Sequence, residues 1–269
     1  MTGYFERIHE GLPIDDVEII DFHAHLGPYY NMHTPHPDAG SMVRVMDICG
    51  IDKVVISATP AICADMVLGN TMMLDAIKAH RGRVYGACFV NGNYPELSLD
   101  ELQRCFGEDR DVVYVKLHPV LVKCRMDDRR MRKIYEFASE RKLFILVHTW
   151  LDEDPYGNQD LFASVVRDYP EVKWLMGHTG GPHGGPHGIG IAEELPNVFL
   201  DITMSMCPAR QIEYFVERVG ADRVLFGTDN PFIDPRPQIG RLFLADISHE
   251  DRVKIAGANV RRYIDFGED

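Results

Sequence analysis

Two histidines at the end of the first apolar run are the residues whose types and spacing most directly suggest chemistry. The stretch IIDFHAHLGPYY begins at Ile19 and places His23 and His25 two positions apart. Successive side chains of a β-strand point to opposite faces, so a strand here puts both imidazoles on one side. Two imidazoles on one face can hold one metal ion, or they are two polar side chains at a strand end. The motif alone leaves both interpretations open.

Further polar side chains close later apolar runs of the sequence. Histidines close three of these runs at intervals of thirty residues, and an aspartate closes the last run within GTDNP; they are His118, His148, His178 and Asp229. Lys116 lies two positions before His118 and shares its face of the strand. Because a βαβ unit takes about 30 residues, this interval predicts equivalent positions in a repeated strand–helix pattern.

Eight short runs rich in Val, Ile, Leu and Phe are the strands that must position these residues. They are predicted at 17–25, 53–59, 83–91, 112–119, 143–149, 173–180, 198–203 and 223–231. Their nearly continuous apolar character is typical of parallel strands buried on both faces. Amphipathic helical patterns lie between them, such as the one from Met42 to Cys49, which Gly50 would end.

The fold class is therefore predicted to be α/β, a single (β/α)8 barrel over residues 1–269. An open doubly wound sheet is the alternative, but no Gly-x-Gly-x-x-Gly follows the first strand. Active sites of such barrels lie at the carboxyl ends of the strands. Three histidines and one carboxylate from strands one, five and eight supply a zinc-type set of nitrogen and oxygen donors; these are His23, His25, His148 and Asp229.

Composition restricts the class of protein. The formal net charge of −13 disfavours nucleic acid and anionic membrane surfaces as partners, although local Lys and Arg side chains can still attract an anionic small-molecule substrate. No run approaches about 18 apolar residues, and the N-terminus lacks a signal-peptide pattern. The six cysteines include no Cys-x-x-Cys pair, which is typical of reduced thiols. We expect a cytoplasmic protein. A homodimer is the expected assembly, because it is the commonest oligomer of soluble proteins.

The motifs DFHAH, VKLHP, LVHT, GHTGG and LFGTDNP, in this order, resemble the amidohydrolase superfamily. More narrowly they resemble its amidohydrolase-related branch, which includes aminocarboxymuconate semialdehyde decarboxylase and related hydrolases. The resemblance covers essentially the whole chain and implies a distorted (β/α)8 barrel. It implies one divalent metal, for which zinc is predicted, with His23, His25, His148 and Asp229 as ligands. It also implies that His178 is catalytic beside the metal, with Asp229 able to accept a proton.

Lys116 has two interpretations in this setting. It holds a substrate carboxylate, or it is a buried lysine paired with a barrel carboxylate. Binuclear relatives carbamylate a fourth-strand lysine so that it bridges two metals, but the sequence VKLHP resembles the single-metal branch. We therefore predict that Lys116 is not a bridging ligand.

Other residues are weaker candidates for the substrate site. His118, Arg125 and Trp150 are predicted to contact substrate, Trp150 as a pocket wall. The Gly-rich stretch GHTGGPHGGPHG is predicted to be a flexible loop, whose His183 and His187 are solvated or join the site. Two further arginines could meet an anion, although most surface arginines do not; these are Arg210 and Arg236.

Three functions fit these residues. The first is a hydrolase that attacks a lactone, amide or similar carbonyl with a metal-activated water, because a dication lowers the pKa of bound water from about 15.7 to about 7. The second is a decarboxylase of a small unsaturated or aromatic acid that uses the same ligands. The third, a ligand-binding barrel without chemistry, is disfavoured by the complete set of histidines and aspartate. The sequence analysis favours the hydrolase and leaves the decarboxylase as the alternative.

Overall fold

Eight parallel strands form one sheet in a computed structural model that describes residues 2–149, 153–180, 185–203 and 208–267. Each strand pairs with the next one in the sequence. The strands are β1 Ile20–Leu26, β2 Lys53–Ala58, β3 Val84–Phe89, β4 Val112–Leu117, β5 Phe144–His148, β6 Lys173–Gly177, β7 Val198–Asp201 and β8 Val224–Leu225. The predicted (β/α)8 barrel is confirmed, since helices lie between the strands along the chain.

The barrel closes where the chain after β8 runs beside β1. The amide of Phe22 donates to the carbonyl of Phe226 at 3.0 Å, and the amide of Asp229 donates to the carbonyl of His23 at 2.8 Å. The amide of His25 donates to the carbonyl of Asn230 at 2.7 Å. These bonds fix the residues that follow β8 next to the two histidines of β1.

Strand β8 is much shorter than the predicted run 223–231. The ladder ends at Leu225, and the chain then turns, with Asp229 in the left-handed region at φ 65°. The carbonyl of Asp229 accepts the amides of Phe232 at 2.9 Å and Ile233 at 3.3 Å. The run 223–231 reads as one continuous strand, but its second half is held by bonds to β1 and by this turn.

Helices connect the strands. They are α1 Thr2–His9, α2 Ala39–Cys49, α3 Thr59–Cys63, α4 Met66–Ala79, α5 Pro95–Glu108, α6 Pro119–Val122, α7 Arg132–Glu140, α8 Gln159–Asp168, α9 Pro186–Glu194, α10 Gln211–Val219, α11 Pro235–Leu244, α12 His249–Val253 and α13 Asn259–Arg261. A π-helical turn, Lys254–Ala258, separates the last two. Gly50 ends α2 as predicted, in the left-handed conformation at φ 74°, which glycine adopts without a Cβ penalty.

Aromatic side chains fill the interior of the barrel. The ring of Phe22 lies 4.9 Å from the ring of Tyr114 and 5.3 Å from that of Phe144, measured between centroids. The hydroxyl of Tyr114 donates to the carbonyl of Phe22 at 2.9 Å. Because Phe22 directly precedes His23, this packing forms a rigid, dry base for the polar residues at the strand ends.

Two sequence expectations bear on the environment of the protein. Among the described residues, no helix is both long and apolar enough to cross a membrane. The five cysteines that lie in the described parts of the chain are all free thiols.

Candidate active site

Eight polar side chains meet at the carboxyl ends of the strands. They lie on four strands, β1, β4, β5 and β7, or directly after β4, β6 and β8: His23, His25, Lys116, His118, His148, His178, Asp201 and Asp229. Most are buried, while His148 is half-buried and the side chain of Asp229 is 13% exposed. Buried polar groups require hydrogen-bond partners. The contacts of these side chains therefore indicate which ligand the site can hold.

His23 and His25 each present one ring nitrogen to the centre of this group. Nδ1 of His23 lies 2.6 Å from Oδ2 of Asp201, and Nδ1 of His25 lies 3.3 Å from the carbonyl oxygen of Ser57. Because a carboxylate only accepts, Nδ1 of His23 carries the proton and its Nε2 keeps a lone pair. Nδ1 of His25 also lies 3.0 Å from the Ser57 hydroxyl, which can donate to it, while Nε2 of His25 faces the Asp229 carboxylate. The two Nε2 atoms lie 3.7 Å and 3.1 Å from Oδ1 of Asp229.

His148 and His178 form a second pair. Nδ1 of His178 donates to the carbonyl of Thr203 at 3.0 Å. Its Nε2 lies 3.1 Å from Nδ1 of His148, so in the neutral pair His148 donates and keeps its own lone pair on Nε2. His178 starts a 3-10 turn at φ 60° instead of continuing β6, which the predicted strand 173–180 did not anticipate.

The pKa values favour a neutral imidazole set beside ionised carboxylates. Burial, and then the charge of Lys116, lowers the pKa of His23 to about 4. Burial also lowers the pKa values of His25 and His148. Burial alone would raise the pKa of Asp229, but His25, His178 and His23 together hold that pKa below its ordinary value. Neutral imidazole nitrogens and an ionised carboxylate are the protonation states that a dication requires.

The donor set therefore fits a divalent metal. Donor atoms of His23, His178 and Asp229 all lie within 4.8 Å of one another, and Nε2 of His25 adjoins the same carboxylate oxygen at 3.1 Å. His23, His25 and Asp229 belong to the ligand set predicted from sequence, while His178 was predicted to act beside the metal. His148 contacts this group through its hydrogen bond with His178. Its role as the fourth ligand therefore remains a prediction.

Lys116 points at the centre of the group. Its Nζ lies 2.9 Å from Nε2 of His23, and burial lowers its pKa to about 8 against the opposing charges of Asp229 and Asp201. Among the described residues, Lys116 forms no ion pair with a carboxylate within 4.0 Å. The alternative interpretation of Lys116, a buried lysine paired with a barrel carboxylate, required such a pair. This placement favours a lysine that faces the reacting space.

His118 packs against the same group. Its ring stacks on that of His148 with a centroid distance of 4.0 Å. Its Nδ1 is buried and has no hydrogen-bond partner, and burial, with Lys116 next, lowers its pKa well below the ordinary value. A buried polar atom without a partner is costly, so His118 retains a hydrogen-bonding position for another molecule.

Two buried aspartates were missed by the sequence analysis. Asp201 ends β7 and accepts from His23 Nδ1, from the amide of Thr203 at 2.8 Å and from the amide of His178 at 3.4 Å. Asp21 accepts from the amides of His23 at 3.2 Å and Thr228 at 3.1 Å and from the Thr228 hydroxyl. Burial raises the pKa of Asp21 to about 8, despite these hydrogen bonds. A signal was available in the sequence, because each aspartate is a charged residue inside an otherwise apolar predicted strand, Asp21 in 17–25 and Asp201 in 198–203.

The close packing of His23 and Asp201 leaves no room for a side chain at Gly227. A Cβ there would lie 2.2 Å from Thr203 Oγ1, 2.8 Å from His23 Cβ and 2.9 Å from Asp201 Oδ1. We expect Gly227→Ala to lower the free energy of unfolding by about 1–3 kcal/mol, the usual cost of overpacking a core. Urea denaturation followed by circular dichroism measures this. Gly190→Ala in α9, where an added Cβ meets nothing within 4 Å, is the control; equal stability of the two variants would contradict the packing argument.

The structure places Arg125 away from the strand-end group. Its side chain is 49% exposed and pairs with Asp127 at 2.8 Å, and it donates to the carbonyl of Pro155 at 3.1 Å. None of these contacts involves a strand-end residue. The predicted substrate contact through Arg125 is thus not assembled here, because a short surface ion pair holds the guanidinium.

The remaining candidates are also separate from the group. His187 lies in helix α9, not in the flexible loop predicted there, and its Nε2 is 3.2 Å from Asp160. Arg210 is exposed and 3.7 Å from Asp246. Arg236 pairs with its neighbour Asp234. Trp150 and His183 lie outside the described residues.

The strand-end histidines and aspartate of this barrel form a donor set that fits a divalent metal, and comparison with known proteins identifies the family of the chain. The family model described as Amidohydrolase matches residues 20–266. The chain therefore belongs to the amidohydrolase family, and the resemblance seen in its motifs is confirmed. A search of curated proteins found no match.

Solved structures show the same fold. An uncharacterized TIM-barrel protein from Bordetella bronchiseptica has a TM-score of 0.75 at 18% identity, covering 91% of this chain and 98% of that one. A 2,6-dihydroxybenzoate decarboxylase from Rhizobium has a TM-score of 0.72 at 17% identity, covering 91% and 98%. A dihydroxybenzoic acid decarboxylase from Polaromonas sp. JS666, with bound manganese and the inhibitor 2-nitroresorcinol, has a TM-score of 0.71 at 18% identity, covering 91% and 96%.

Proposed function

We propose that this protein is a metal-dependent decarboxylase of a small aromatic carboxylic acid. The observation that carries the proposal is the fold similarity to two dihydroxybenzoate-type decarboxylases, one of them with manganese and a nitroresorcinol, combined with a strand-end group that fits a divalent metal. The sequence analysis favoured hydrolysis of a lactone or amide. The comparisons support the decarboxylase alternative better than that first choice.

The proposed reaction replaces a carboxylate by a proton. The bond between the ring carbon and the carboxyl carbon breaks, its electron pair stays on the ring carbon, and CO2 leaves while a proton takes its place. When bound, the metal would neutralise the charge of the substrate's oxygens and fix them in position. We propose His23, His25, His148 and Asp229 as the residues that hold it, because His23 and His25 adjoin the Asp229 carboxylate and His148 contacts His178, which lies in the same group.

His178 is proposed to manage the proton. Its Nδ1 proton is committed to the carbonyl of Thr203, which fixes the ring orientation and leaves Nε2 as the atom that accepts or delivers a proton. A histidine whose ring is held in this way can act as a general acid or base.

Lys116 and His118 are proposed to receive the anionic substrate. Both are buried, and they lie two positions apart at the end of β4. A lysine ammonium gives the substrate anion a partner inside a chain of net charge −13, which would otherwise repel it. The unpartnered Nδ1 of His118 supplies a polar contact that a substrate hydroxyl or carboxylate would satisfy.

The reaction class is tested with two substrate panels. We expect CO2 release from hydroxylated benzoates such as 2,6-dihydroxybenzoate in the presence of Mn²⁺ or Zn²⁺, followed by a CO2-coupled assay. A parallel panel of lactones and amides, followed by acid release, is expected to show no turnover. Turnover confined to the second panel would restore the hydrolase and reject the decarboxylase.

The metal is tested independently of turnover. Elemental analysis of protein purified without chelator is expected to give about one divalent metal per chain. The sequence predicted zinc, whereas the Polaromonas relative holds manganese, so the same measurement identifies the metal. Full activity of protein shown to be metal-free would defeat the metal-dependent mechanism.

Lys116→Met is expected to raise KM about 10–100-fold, because a charge-assisted hydrogen bond contributes roughly 1.5–3 kcal/mol. The metal content should stay at about one per chain, since Lys116 is not proposed as a ligand. Steady-state kinetics and elemental analysis measure both quantities. Lys133→Met, at a 56%-exposed lysine of α7, is the control. Two metals per chain in the parent and one in Lys116→Met would instead indicate a bridging carbamate.

A further inference from the structure

A second concave site lies beside the strand-end group. It is a cavity of about 690 Å³ between the segment 35–49, which includes α2, and the segment 230–236 after β8. None of the eight strand-end side chains lines it. A volume of this size is within the range of about 300–1,000 Å³ that small-molecule sites occupy.

The walls of this cavity are mainly apolar. Proline rings and aliphatic or thioether side chains face each other across it; they include Pro37, Met42, Val45, Ile48, Pro231 and Ile233. Ile48 is 65% exposed, an unusual position for a large aliphatic side chain beside other apolar groups. A ligand with an apolar body would remove this surface from water, which is the main source of affinity in such sites.

One cation in the cavity, Arg44, has no carboxylate in direct contact among the described residues, although the charge of Asp38 attracts it at longer range. Arg236 is held by Asp234, with its Nε 2.9 Å from Oδ1. Asp38 accepts from the amide of Ser41 at 2.9 Å and from its hydroxyl at 2.6 Å. Arg44 donates to the Ser41 hydroxyl at 2.6 Å and, within the described part of the chain, forms no ion pair within 4.0 Å. Its guanidinium therefore has donors left for a carboxylate or sulfonate.

We propose that this cavity binds a small amphipathic organic anion, with an aromatic or alicyclic body against the apolar walls and its acid group on Arg44. The proposal does not depend on the reaction assigned to the strand-end group. A ligand of this class matches both the apolar lining and the remaining donors of the Arg44 guanidinium, whereas an uncharged ligand uses only the apolar lining.

The occupant would touch the segment that carries Asp229. Within that segment, Pro231 and Ile233 face the cavity, while the ring of Phe232 stacks on His25 at a centroid distance of 4.9 Å. The carbonyl of Asp229 accepts the amides of Phe232 and Ile233, so these residues form one hydrogen-bonded turn. Binding in the cavity and metal binding at Asp229 are therefore expected to be linked, and linkage of two binding equilibria is reciprocal.

The test uses the full chain and two fluorescent probes of similar shape. 1-Anilinonaphthalene-8-sulfonate carries one sulfonate, and N-phenyl-1-naphthylamine is uncharged. We expect one site per chain for the sulfonate probe. Arg44→Gln should weaken it about tenfold and leave the uncharged probe unchanged, and Val45→Trp, which fills the cavity, should abolish both. Arg132→Gln, at a 74%-exposed arginine of α7 paired with Glu136, is the control.

The remaining outcomes are equally decisive. If Val45→Trp does not fold, Ile48→Glu should weaken both probes, because it removes apolar wall, and should weaken the sulfonate probe more, because it adds a negative charge. Equal affinity of parent, Arg44→Gln and Ile48→Glu for the sulfonate would place the probe elsewhere and overturn the proposal. So would sedimentation showing a dimer of the parent that Ile48→Glu dissociates, because a second copy would then cover this face. Mn²⁺ titrations with and without the sulfonate should give different Kd values; identical values would remove the linkage.

Discussion

Replacing His178 by asparagine is expected to lower kcat by about 10²–10⁴-fold while the metal content stays near that of the parent. This loss of kcat is the usual effect of removing a positioned general acid or base. The reason is that Nε2 of His178, which accepts from His148 in the neutral pair, is the ring nitrogen that can exchange a proton, because the Nδ1 proton is bound to the Thr203 carbonyl. An asparagine can keep the hydrogen bond to that carbonyl but has no group that titrates near neutral pH.

The matched comparison is His148→Asn, at the histidine 3.1 Å from His178. This variant is expected to lose metal, because His148 is proposed as a ligand. Elemental analysis and kcat of both variants are measured side by side, with circular dichroism to verify folding. If His178→Asn loses its metal as readily as His148→Asn, then His178 belongs to the metal ligands, as its closeness to His23 and Asp229 also allows.

Asp201→Asn is expected to weaken metal binding by about 10–100-fold, the usual effect of removing the carboxylate behind a metal-binding histidine. The carboxylate accepts from His23 Nδ1 at 2.6 Å, so it fixes the tautomer that directs the Nε2 lone pair inward. Burial alone would raise the pKa of Asp201, but His23 beside it holds that pKa below its ordinary value. An asparagine is neutral, and its amide can present hydrogens to His23 instead of an acceptor.

Competition with a chromogenic chelator measures the affinity of both proteins for Mn²⁺ and Zn²⁺. Asp127→Asn, at a half-exposed aspartate paired with Arg125, controls for the loss of one negative charge. A nitrogen-15 spectrum of the histidine rings should also show that the proton of His23 leaves Nδ1 in part of the Asp201→Asn molecules. Unchanged affinity together with an unchanged tautomer would show that Asp201 does not position His23.

The barrel itself was predictable from local pattern. Strands buried on both faces must be apolar along their length, and the helices between them must be amphipathic. The pattern of apolar residues along the sequence therefore predicts the order of strands and helices. The main error in strand length was at β8, predicted over 223–231 and observed at Val224–Leu225. Apolar content does not reveal that hydrogen bonds to β1 and a left-handed Asp229 shape the second half of that run.

The candidate site was predictable where it depends on strand ends. Because parallel strands of a closed barrel all end at one face, His23, His148 and Asp229 had to approach each other whatever their separation along the chain. The sequence could not reveal that Arg125 turns outward to Asp127 or that His187 lies on α9 beside Asp160. The orientation of such a flexible side chain depends on which charged group lies near it in the folded protein.

The sequence by itself determined the fold class, the face that carries chemistry and most of the residues placed there, because strand periodicity and residue type are local properties. Only the tertiary structure decided how those residues are connected. The contact between His23 and Asp201 joins residues 178 positions apart, and the contact between Lys116 and His23 joins residues 93 positions apart. Such contacts depend on the stagger of strands around the barrel and on side-chain rotamers, which are set when the whole core packs.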